Sequence, residues 1–280
     1  MPPIYDLHSH STASDGALSP TELVRRAAEQ GVEHLALTDH DTLAGLPEAR
    51  EAAREAGIAL VPGVELSVLW GSRELHLLGL WVDPDDTGLR ELVASQMAAR
   101  ERRARTMGER LDQAAGLTGS YDRACELANS AAPGRPFFAR LLLDAGKVRN
   151  FQHAFDRFLK QGRSAFVKTP WCELGEAVRV IDAAGGRALL AHPARYGLTR
   201  RKLRQLLTDL VDVGGHGLEV ATPGLSHDQR ALLSECARDF PLTASAGSDF
   251  HSPEQHWLEL GRLPELPTGA RPVWTSVAPA

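Results

Sequence analysis

The sequence predicts an α/β domain that is built on parallel strands and interrupted by a helical insertion. Short apolar runs alternate with helical patterns from the beginning of the chain, which is the order of strands and crossover helices in a parallel sheet. Several of the helical patterns also carry start and stop signals. The alternation then breaks between about residues 87 and 162, where only helical patterns occur.

The predicted strands are short apolar runs that end in polar residues. In chain order they read IYDLHSH, HLALTDH, IALVPGVELSV, ELHLLGLWV, RALLAHP, GLEVA and LTASAGSDFH. Parallel strands place their carboxyl ends at one edge, and α/β folds build their sites at that edge. The polar residues that close these runs are therefore candidates for a common site.

Three helices between the strands are predicted from their ends. The first has Ser19 as N-cap, Glu22 at the capping-box position and Gly31 after its last turn. The second, LPEAREAAREAG, ends at Gly57, and the third, WCELGEAVRVIDAAGG, closes on a pair of glycines. These signals predict the three helices from the sequence alone.

The break in the alternation divides the chain. Residues 1–86 and 163–280 are predicted to form the α/β domain, and residues 87–162 a helical insertion that binds substrate. A long helical pattern without a strand is not needed for the α/β core, so we expect it to shape a ligand site.

A basic run, AARERRAR, lies in this insertion. Arg100 and Arg103 are one turn apart on one helix face, and Arg135 follows in a predicted loop. One interpretation is a solvated helix face with Glu101 and Glu109 as partners. The other is a phosphate receptor, because guanidinium groups bind phosphate through two parallel hydrogen bonds.

Composition and charge exclude several classes of protein. The 280 residues are 43% hydrophobic and 24% charged, which is typical of a globular chain. The net charge of −5 offers no global attraction for nucleic acid, so any such contact must be local. Three scattered cysteines argue against a disulfide framework. Because neither a signal peptide nor a membrane span is recognised, we expect a cytoplasmic protein.

Side chains that commonly bind metals recur at the ends of the predicted strands. They are nine in number: His8, His10, Asp15, His40, Glu65, His76, His192, Asp249 and His251. One zinc ion takes three or four protein ligands, so nine indicate two or three divalent ions. Imidazole and carboxylate donors without thiolate suit Mn²⁺, which we expect first, or Fe²⁺ or Zn²⁺. Glu65 is the expected bridge between adjacent ions.

A water, and not a side chain, is the expected nucleophile. The sequence has no nucleophile elbow, and none of its cysteines lies beside the histidine cluster. A metal-bound water has its pKa lowered toward about 7 and becomes a nucleophile at neutral pH. We expect Glu65, Asp249 and His192 to support it as ligands. Asp39 and Asp41 flank a predicted ligand and are interpreted as orienting or turn-capping residues.

The motifs DLHSHSTASDG, ALTDHDT, PGVELS, LLAHP and GSDFH resemble those of the PHP (polymerase and histidinol phosphatase) domain family, most closely its TrpH- and YciV-like branch. The resemblance continues through RPFFARLLLDAGK and GRSAFV and covers nearly the whole chain. It implies a distorted (β/α)7 barrel of seven parallel strands with a helical insertion, and a trinuclear site at the carboxyl ends of the strands.

The resemblance also implies how the ligands are shared and what the site does. One ion would take His8, His10, Glu65 and Asp249, a second Glu65, His76 and His192, and a third Asp15, His40 and His251. Members of this branch hydrolyse the 3′-phosphate of nucleoside 3′,5′-bisphosphates such as pAp. Some also remove nucleotides from the 5′ end of short RNA, the activity named RNase AM.

The expected function is therefore a metal-dependent phosphoesterase that converts pAp to AMP and phosphate, and also a 5′-to-3′ exoribonuclease on 5′-phosphorylated RNA. The expected partners are these substrates, with no membrane and no obligate protein partner. A phosphatase of the histidinol-phosphate type is one alternative, although a monophosphate needs no second phosphate receptor. A non-catalytic, metal-stabilised accessory module is the other, although the ligand set is complete.

Overall fold

The computed structural model describes residues 3–277, which divide into two compact units. The first comprises the described residues up to Val93 together with those from Cys172 onward, and the second comprises Ala94–Trp171. The first unit contains the sheet, whereas residues 94–171 contain helices and no strand. None of the helices in the described part of the chain is long and apolar enough to cross a membrane.

Eight strands form one sheet in the first unit. They are β1 (Tyr5–Asp6), β2 (His34–Leu37), β3 (Ala59–Trp70), β4 (Arg73–Leu80), β5 (Cys172–Glu173), β6 (Arg187–Leu190), β7 (Gly217–Ala221) and β8 (Thr243–Ala246). Their order is β1-β2-β3-β4-β6-β7-β8, with β5 paired to β3. Hydrogen bonds from Leu7 N to Ala246 O (3.0 Å) and from His10 N to Phe250 O (2.9 Å) join the two ends of this order. The sheet therefore closes on itself, and the predicted α/β barrel is confirmed.

One strand departs from the expected parallel arrangement. β4 runs antiparallel to both β3 and β6, whereas the other paired strands run parallel. The expectation of seven parallel strands is wrong at this point, because only Gly71 and Ser72 connect β3 to β4. So short a loop can only reverse the chain, and Gly71 adopts the positive φ of 60° that such a turn favours.

Nine helices are assigned within residues 3–277. They are α1 (Pro20–Glu29), α2 (Leu46–Ala56), α3 (Thr87–Ala115), α4 (Ser120–Ala128), α5 (Arg135–Asp144), α6 (Phe151–Ala154), α7 (Leu174–Ala183), α8 (Arg200–Asp212) and α9 (His227–Asp239). The predicted capping box of α1 is present, since Ser19 and Glu22 bond each other's backbone N–H groups. Gly57 ends α2 in the left-handed conformation at φ 70°, as predicted.

Each unit has its own apolar core. Inside the closed sheet, buried side chains from neighbouring strands pack as one cluster that includes Leu7, Ala36, Val61, Leu78 and Leu189. The helices that cover the sheet pack in two further clusters. In the second unit, Met107, Leu111, Phe138, Leu142 and Phe158 belong to a separate buried cluster. A filled barrel interior holds the strand ends in place, and these ends position the site.

Candidate metal centre

The barrel brings all nine predicted ligand side chains into one connected cluster. Seven of them stand at or beyond the ends of strands, where the backbone leaves the sheet and can turn its side chains toward the barrel axis. The exceptions are Glu65 within β3 and His76 within β4. Because β4 runs antiparallel, His76 reaches the cluster from inside its strand, where it is in register with Ser67.

Four donor atoms converge around one point in the cluster. His8 Nε2 and His10 Nε2 lie 3.1 Å apart. Each also lies between 3.2 and 3.4 Å from Glu65 Oε2 and Asp249 Oδ1. Ligands about 2.0–2.1 Å from a tetrahedral ion lie about 3.3–3.4 Å from one another. The separations between these imidazoles and carboxylates are therefore short enough for ligands of a common ion.

The two oxygens of Glu65 face different imidazoles. Oε2 faces the group just described, and Oε1 lies 3.0 Å from His76 Nδ1 and 2.9 Å from His192 Nε2. The side chain of Glu65 is fully buried, so both oxygens depend on partners within the protein. A carboxylate with one oxygen in each of two donor sets has the geometry of a bridge between two ions.

Asp15 lies in a third part of the cluster. Its Oδ1 is 3.3 Å from His251 Nε2, and its Oδ2 is 3.8 Å from His40 Nε2. The other ring nitrogen of His40, Nδ1, lies 2.8 Å from Glu65 Oε2. The structure thus places His40 between two donor sets, whereas the sequence resemblance assigned it to the Asp15 set alone.

Several buried donor atoms in the cluster make no hydrogen bond of acceptable geometry. Asp15 Oδ1, His40 Nδ1 and Glu65 Oε2 are among them. A buried polar atom without a partner costs about 1–3 kcal/mol, so such atoms call for an explanation. A divalent cation among them would supply the missing partner, and imidazole and carboxylate donors without sulfur fit such an ion.

The carboxylates of the cluster keep their negative charge. Burial raises the pKa of Glu65 and Asp249, but the surrounding imidazoles outweigh burial and hold both pKa values well below their usual ranges. Burial lowers the pKa of His40 to about 4. Burial lowers the pKa of His10, but the nearby carboxylates of Asp249 and Glu65 outweigh burial and raise it to about 10. Such concentrated buried charge favours bound cations.

Two acids beside the cluster orient its loops. Asp39 accepts hydrogen bonds from the backbone N–H and the hydroxyl of Ser11, at 2.8 and 2.6 Å. Asp41 accepts the corresponding pair from Ser67, at 2.7 and 2.8 Å. Both acids therefore tie the loop after β2 to a neighbouring segment, and their expected role in orienting His40 stays a prediction.

Sequence reasoning missed two charged residues of the site. Glu219 on β7 is fully buried, with Oε1 3.0 Å from His8 Nδ1. Its signal was an acid inside the apolar strand GLEVA. Arg195, in the 3₁₀ turn after β6, donates a hydrogen bond to Asp249, although 53% of its side chain is exposed. An arginine shortly after AHP was the corresponding signal.

The predicted substrate arginines lie in the second unit. The guanidinium carbons of Arg100 and Arg103 are each 5.5 Å from the ring centre of Trp171, and Arg103 is buried. Arg135 is the first residue of α5. A cation–π contact with an indole restrains a guanidinium. Because Arg103 is buried, the interpretation of these arginines as a solvated helix face does not fit it. Their interpretation as a phosphate receptor stays a prediction.

Known proteins resemble this chain over most of its length. A family model described as PHP domain matches residues 6–160. The chain is 48% identical over 270 residues to a 5′-3′ exoribonuclease of Haemophilus influenzae, covering 96% of this chain and 97% of the relative. It is 42% identical over 272 residues to a 3′,5′-nucleoside bisphosphate phosphatase of Chromobacterium violaceum, covering 96% and 94%.

A solved structure shares the fold throughout. An amidohydrolase from Chromobacterium violaceum, determined with bound sulfate and without metal, superimposes with a TM-score of 0.91 at 41% identity. The match covers 97% of this chain and 95% of that one. Together with the closed α/β barrel and its cluster of nine donors, these similarities confirm the expected resemblance, and the chain belongs to the PHP domain family.

Proposed function

We propose that this chain is a metal-dependent phosphoesterase that removes the 3′-phosphate from nucleoside 3′,5′-bisphosphates, converting pAp to AMP and phosphate. The observation that carries the proposal is the position of Glu65, whose two oxygens face separate sets of imidazoles. Divalent ions held side by side suit displacement at phosphorus. The bisphosphate phosphatase of Chromobacterium violaceum supports this substrate class.

The proposed cofactors are two or three divalent ions, with Mn²⁺ as the native ion and Fe²⁺ or Zn²⁺ as alternatives. His8, His10 and Asp249 would hold one ion, His76 and His192 a second, and Asp15, His40 and His251 a third, with Glu65 shared between the first two. When bound, such ions supply a nucleophile at neutral pH and stabilise the charge that develops on the phosphoryl oxygens.

Arg195 is proposed to hold the phosphoryl group that is transferred. Its contact with Asp249 uses part of the guanidinium, and the exposed remainder can donate to a phosphoryl oxygen. The turn that carries it is fastened on its other side, because the hydroxyl of Tyr196 accepts a hydrogen bond of 2.9 Å from His76 N. Arg195 is therefore held beside the donor cluster before substrate arrives.

The helical insertion, residues 87–162 by the sequence interpretation, is proposed to bind the part of the substrate that does not react. Arg100, Arg103 and Arg135 would hold the phosphate that is not hydrolysed. The stacking of two of them on Trp171 supports the proposal, since it orders guanidinium groups that would otherwise lose rotamer freedom on binding.

A second proposed activity is 5′-to-3′ exonucleolytic cleavage of 5′-phosphorylated RNA. The exoribonuclease of Haemophilus influenzae, which aligns with 96% of this chain, supports it. A receptor for the non-reacting phosphate would serve both substrates, because a 5′-phosphorylated RNA end also presents a phosphate beside the reacting ester. We propose that the reaction takes place in the cytoplasm, which suits a chain with three cysteines and no disulfide framework.

A substrate panel tests these proposals. Protein stripped with a chelator and reloaded with Mn²⁺ is assayed on pAp, 5′-phosphorylated RNA, AMP and histidinol phosphate. We expect chelation to abolish hydrolysis, Mn²⁺ to restore it, and pAp to be the best small substrate. Preference for histidinol phosphate would favour the histidinol-phosphate phosphatase. No turnover of any ester by fully loaded protein would favour the accessory module.

Single alanine variants test the proposed phosphate receptor. Each of Arg100, Arg103 and Arg135 would contribute a charge-assisted contact worth roughly 1.5–3 kcal/mol, or about ten- to a hundredfold in kcat/KM. The loss should appear with pAp and 5′-phosphorylated RNA and be small with an aryl phosphate, which has no second phosphate. Equal losses on all substrates would mean that these arginines support the fold instead.

A further inference from the structure

Glu219 lies between two histidines of the proposed metal centre. Its Oε1 is 3.0 Å from His8 Nδ1, and its Oε2 accepts a hydrogen bond of 2.6 Å from the backbone N–H of His192. His8 and Glu219 are both fully buried, so water does not compete for this contact. One carboxylate thus touches the ligands of two different proposed ions.

The contact with His8 determines which ring nitrogen carries the proton. A carboxylate can only accept, so His8 Nδ1 must donate to it. The proton on Nδ1 leaves the lone pair on Nε2, the atom that faces His10, Glu65 and Asp249. Glu219 therefore selects the tautomer of His8 that can bind an ion through Nε2.

The contact with His192 acts on the backbone. His192 has a φ of 30° and a ψ of 56°, which is left-handed backbone that residues with a side chain rarely adopt. Such conformations are strained and persist only where the surroundings hold them. The short bond from His192 N–H to Glu219 is one such restraint, and it directs His192 Nε2 toward Glu65 Oε1 at 2.9 Å.

Gly247 makes the approach of Glu219 and His8 possible. A Cβ atom at this position would lie 2.4 Å from His8 Cβ and 2.7 Å from Glu219 Oε1, far inside van der Waals contact. The glycine just beyond β8 therefore leaves the space in which the carboxylate meets the imidazole. A methyl group there would separate them without removing any charge.

We propose that Glu219 is a positioning residue that couples two metal positions, through the tautomer of His8 and through the backbone of His192. The inference rests on the metal centre proposed above. Partners that orient metal-binding imidazoles typically contribute ten- to a hundredfold to metal affinity. Glu219 touches two ligand residues, so its loss should weaken binding at both positions.

The test compares Zn²⁺ affinity and histidine tautomers in Glu219→Gln and Gly247→Ala. The glutamine can accept one of the two hydrogen bonds, but its NH₂ group then faces a donor. We expect Zn²⁺ affinity, measured by competition with a chromophoric chelator, to fall by about 10–100-fold in each variant. Long-range ¹H–¹⁵N spectra of the zinc-loaded protein should lose the signature of a His8 protonated at Nδ1 and bound through Nε2.

An acid in the second unit provides the control. Asp112 is partly buried, and its two oxygens accept hydrogen bonds of 3.1 Å from the backbone N–H groups of Gly119 and Ser120. Asp112→Asn should lower the melting temperature of the metal-free protein while the His8 signature persists. This comparison separates a loss of stability from a loss of positioning.

The outcomes test the positioning role of Glu219 separately from the proposed metal centre. If wild-type protein binds no Zn²⁺, the metal centre itself is refuted. If wild type binds Zn²⁺ and Glu219→Gln has an affinity within twofold and an unchanged His8 signature, the positioning role is refuted. Should Glu219→Gln fail to fold, Glu219→Asp decides, because it keeps the charge but its shorter side chain withdraws the carboxylate from His8 Nδ1, and the signature should still be lost.

Discussion

Replacing Glu65 by glutamine tests the bridge between the proposed ions. The change keeps the size of the side chain but removes its charge and converts one acceptor into a donor. In the structure Oε2 lies 3.4, 3.3 and 2.8 Å from nitrogens of His8, His10 and His40, and Oε1 lies 3.0 and 2.9 Å from His76 and His192. Whichever way the amide turns, one donor set receives an NH₂ group where it had an oxygen.

The size of the effect follows from these two donor sets. Replacing an anionic ligand by a neutral one should lower activity by about tenfold at each donor set, or about 1.4 kcal/mol. If both ions are needed in the same step, the two losses multiply to at least about a hundredfold in kcat, or about 2.7 kcal/mol. The fold should persist, because a neutral amide is less costly to bury than a carboxylate.

The assay measures kcat on pAp at saturating Mn²⁺, with metal content by elemental analysis and folding by circular dichroism. Glu22→Gln is the matched control, because a capping box accepts glutamine as well as glutamate and α1 should be unaffected. Near-normal kcat in folded Glu65→Gln would refute the bridge. Fewer than one transition metal ion per chain in active wild-type protein would refute the multinuclear centre altogether.

Two further predictions concern the third ion and the dependence of stability on pH. Asp15→Ala should lower metal content by about one ion per chain and spare the others; an unchanged content in elemental analysis would show that Asp15 is no ligand. Glu259 accepts two hydrogen bonds from Arg26, which hold its pKa below the ordinary value of 4.5. Because the pKa of Glu259 is lower in the folded state, its charge stabilises the fold at pH values above the unfolded-state pKa. This stabilisation is lost as the pH falls through the folded-state pKa. The melting temperature of Glu259→Gln should therefore lie below that of wild type at pH 7, by a difference worth about 1 kcal/mol or less, and the two should converge as the pH falls below the folded pKa of Glu259. A difference that does not change with pH would mean that packing, and not charge, is lost.

The sequence by itself determined the local elements and the residue types of the site. The capping box at Ser19 and the glycine after α2 act within a few residues, so the signal and the structure it specifies lie in the same segment. The nine donors could be selected because polar residues that close apolar strands are unusual and share a chemistry. Family motifs such as DLHSHSTASDG added the assignment to the PHP domain family.

Only the tertiary structure decided how these donors are arranged. Glu65 and His192 are 127 positions apart, and their contact exists because β4 turns back beside β3 and the sheet closes into a barrel. The two neighbours of His40 and the contacts of Glu219 likewise join residues far apart in the chain, whereas the direction of β4 follows from its two-residue loop. Hydrogen bonds and coordination act over about 3 Å, whereas apolar periodicity specifies only which face of a strand is buried. Local patterns therefore predict which residues are available, and packing determines which of them meet.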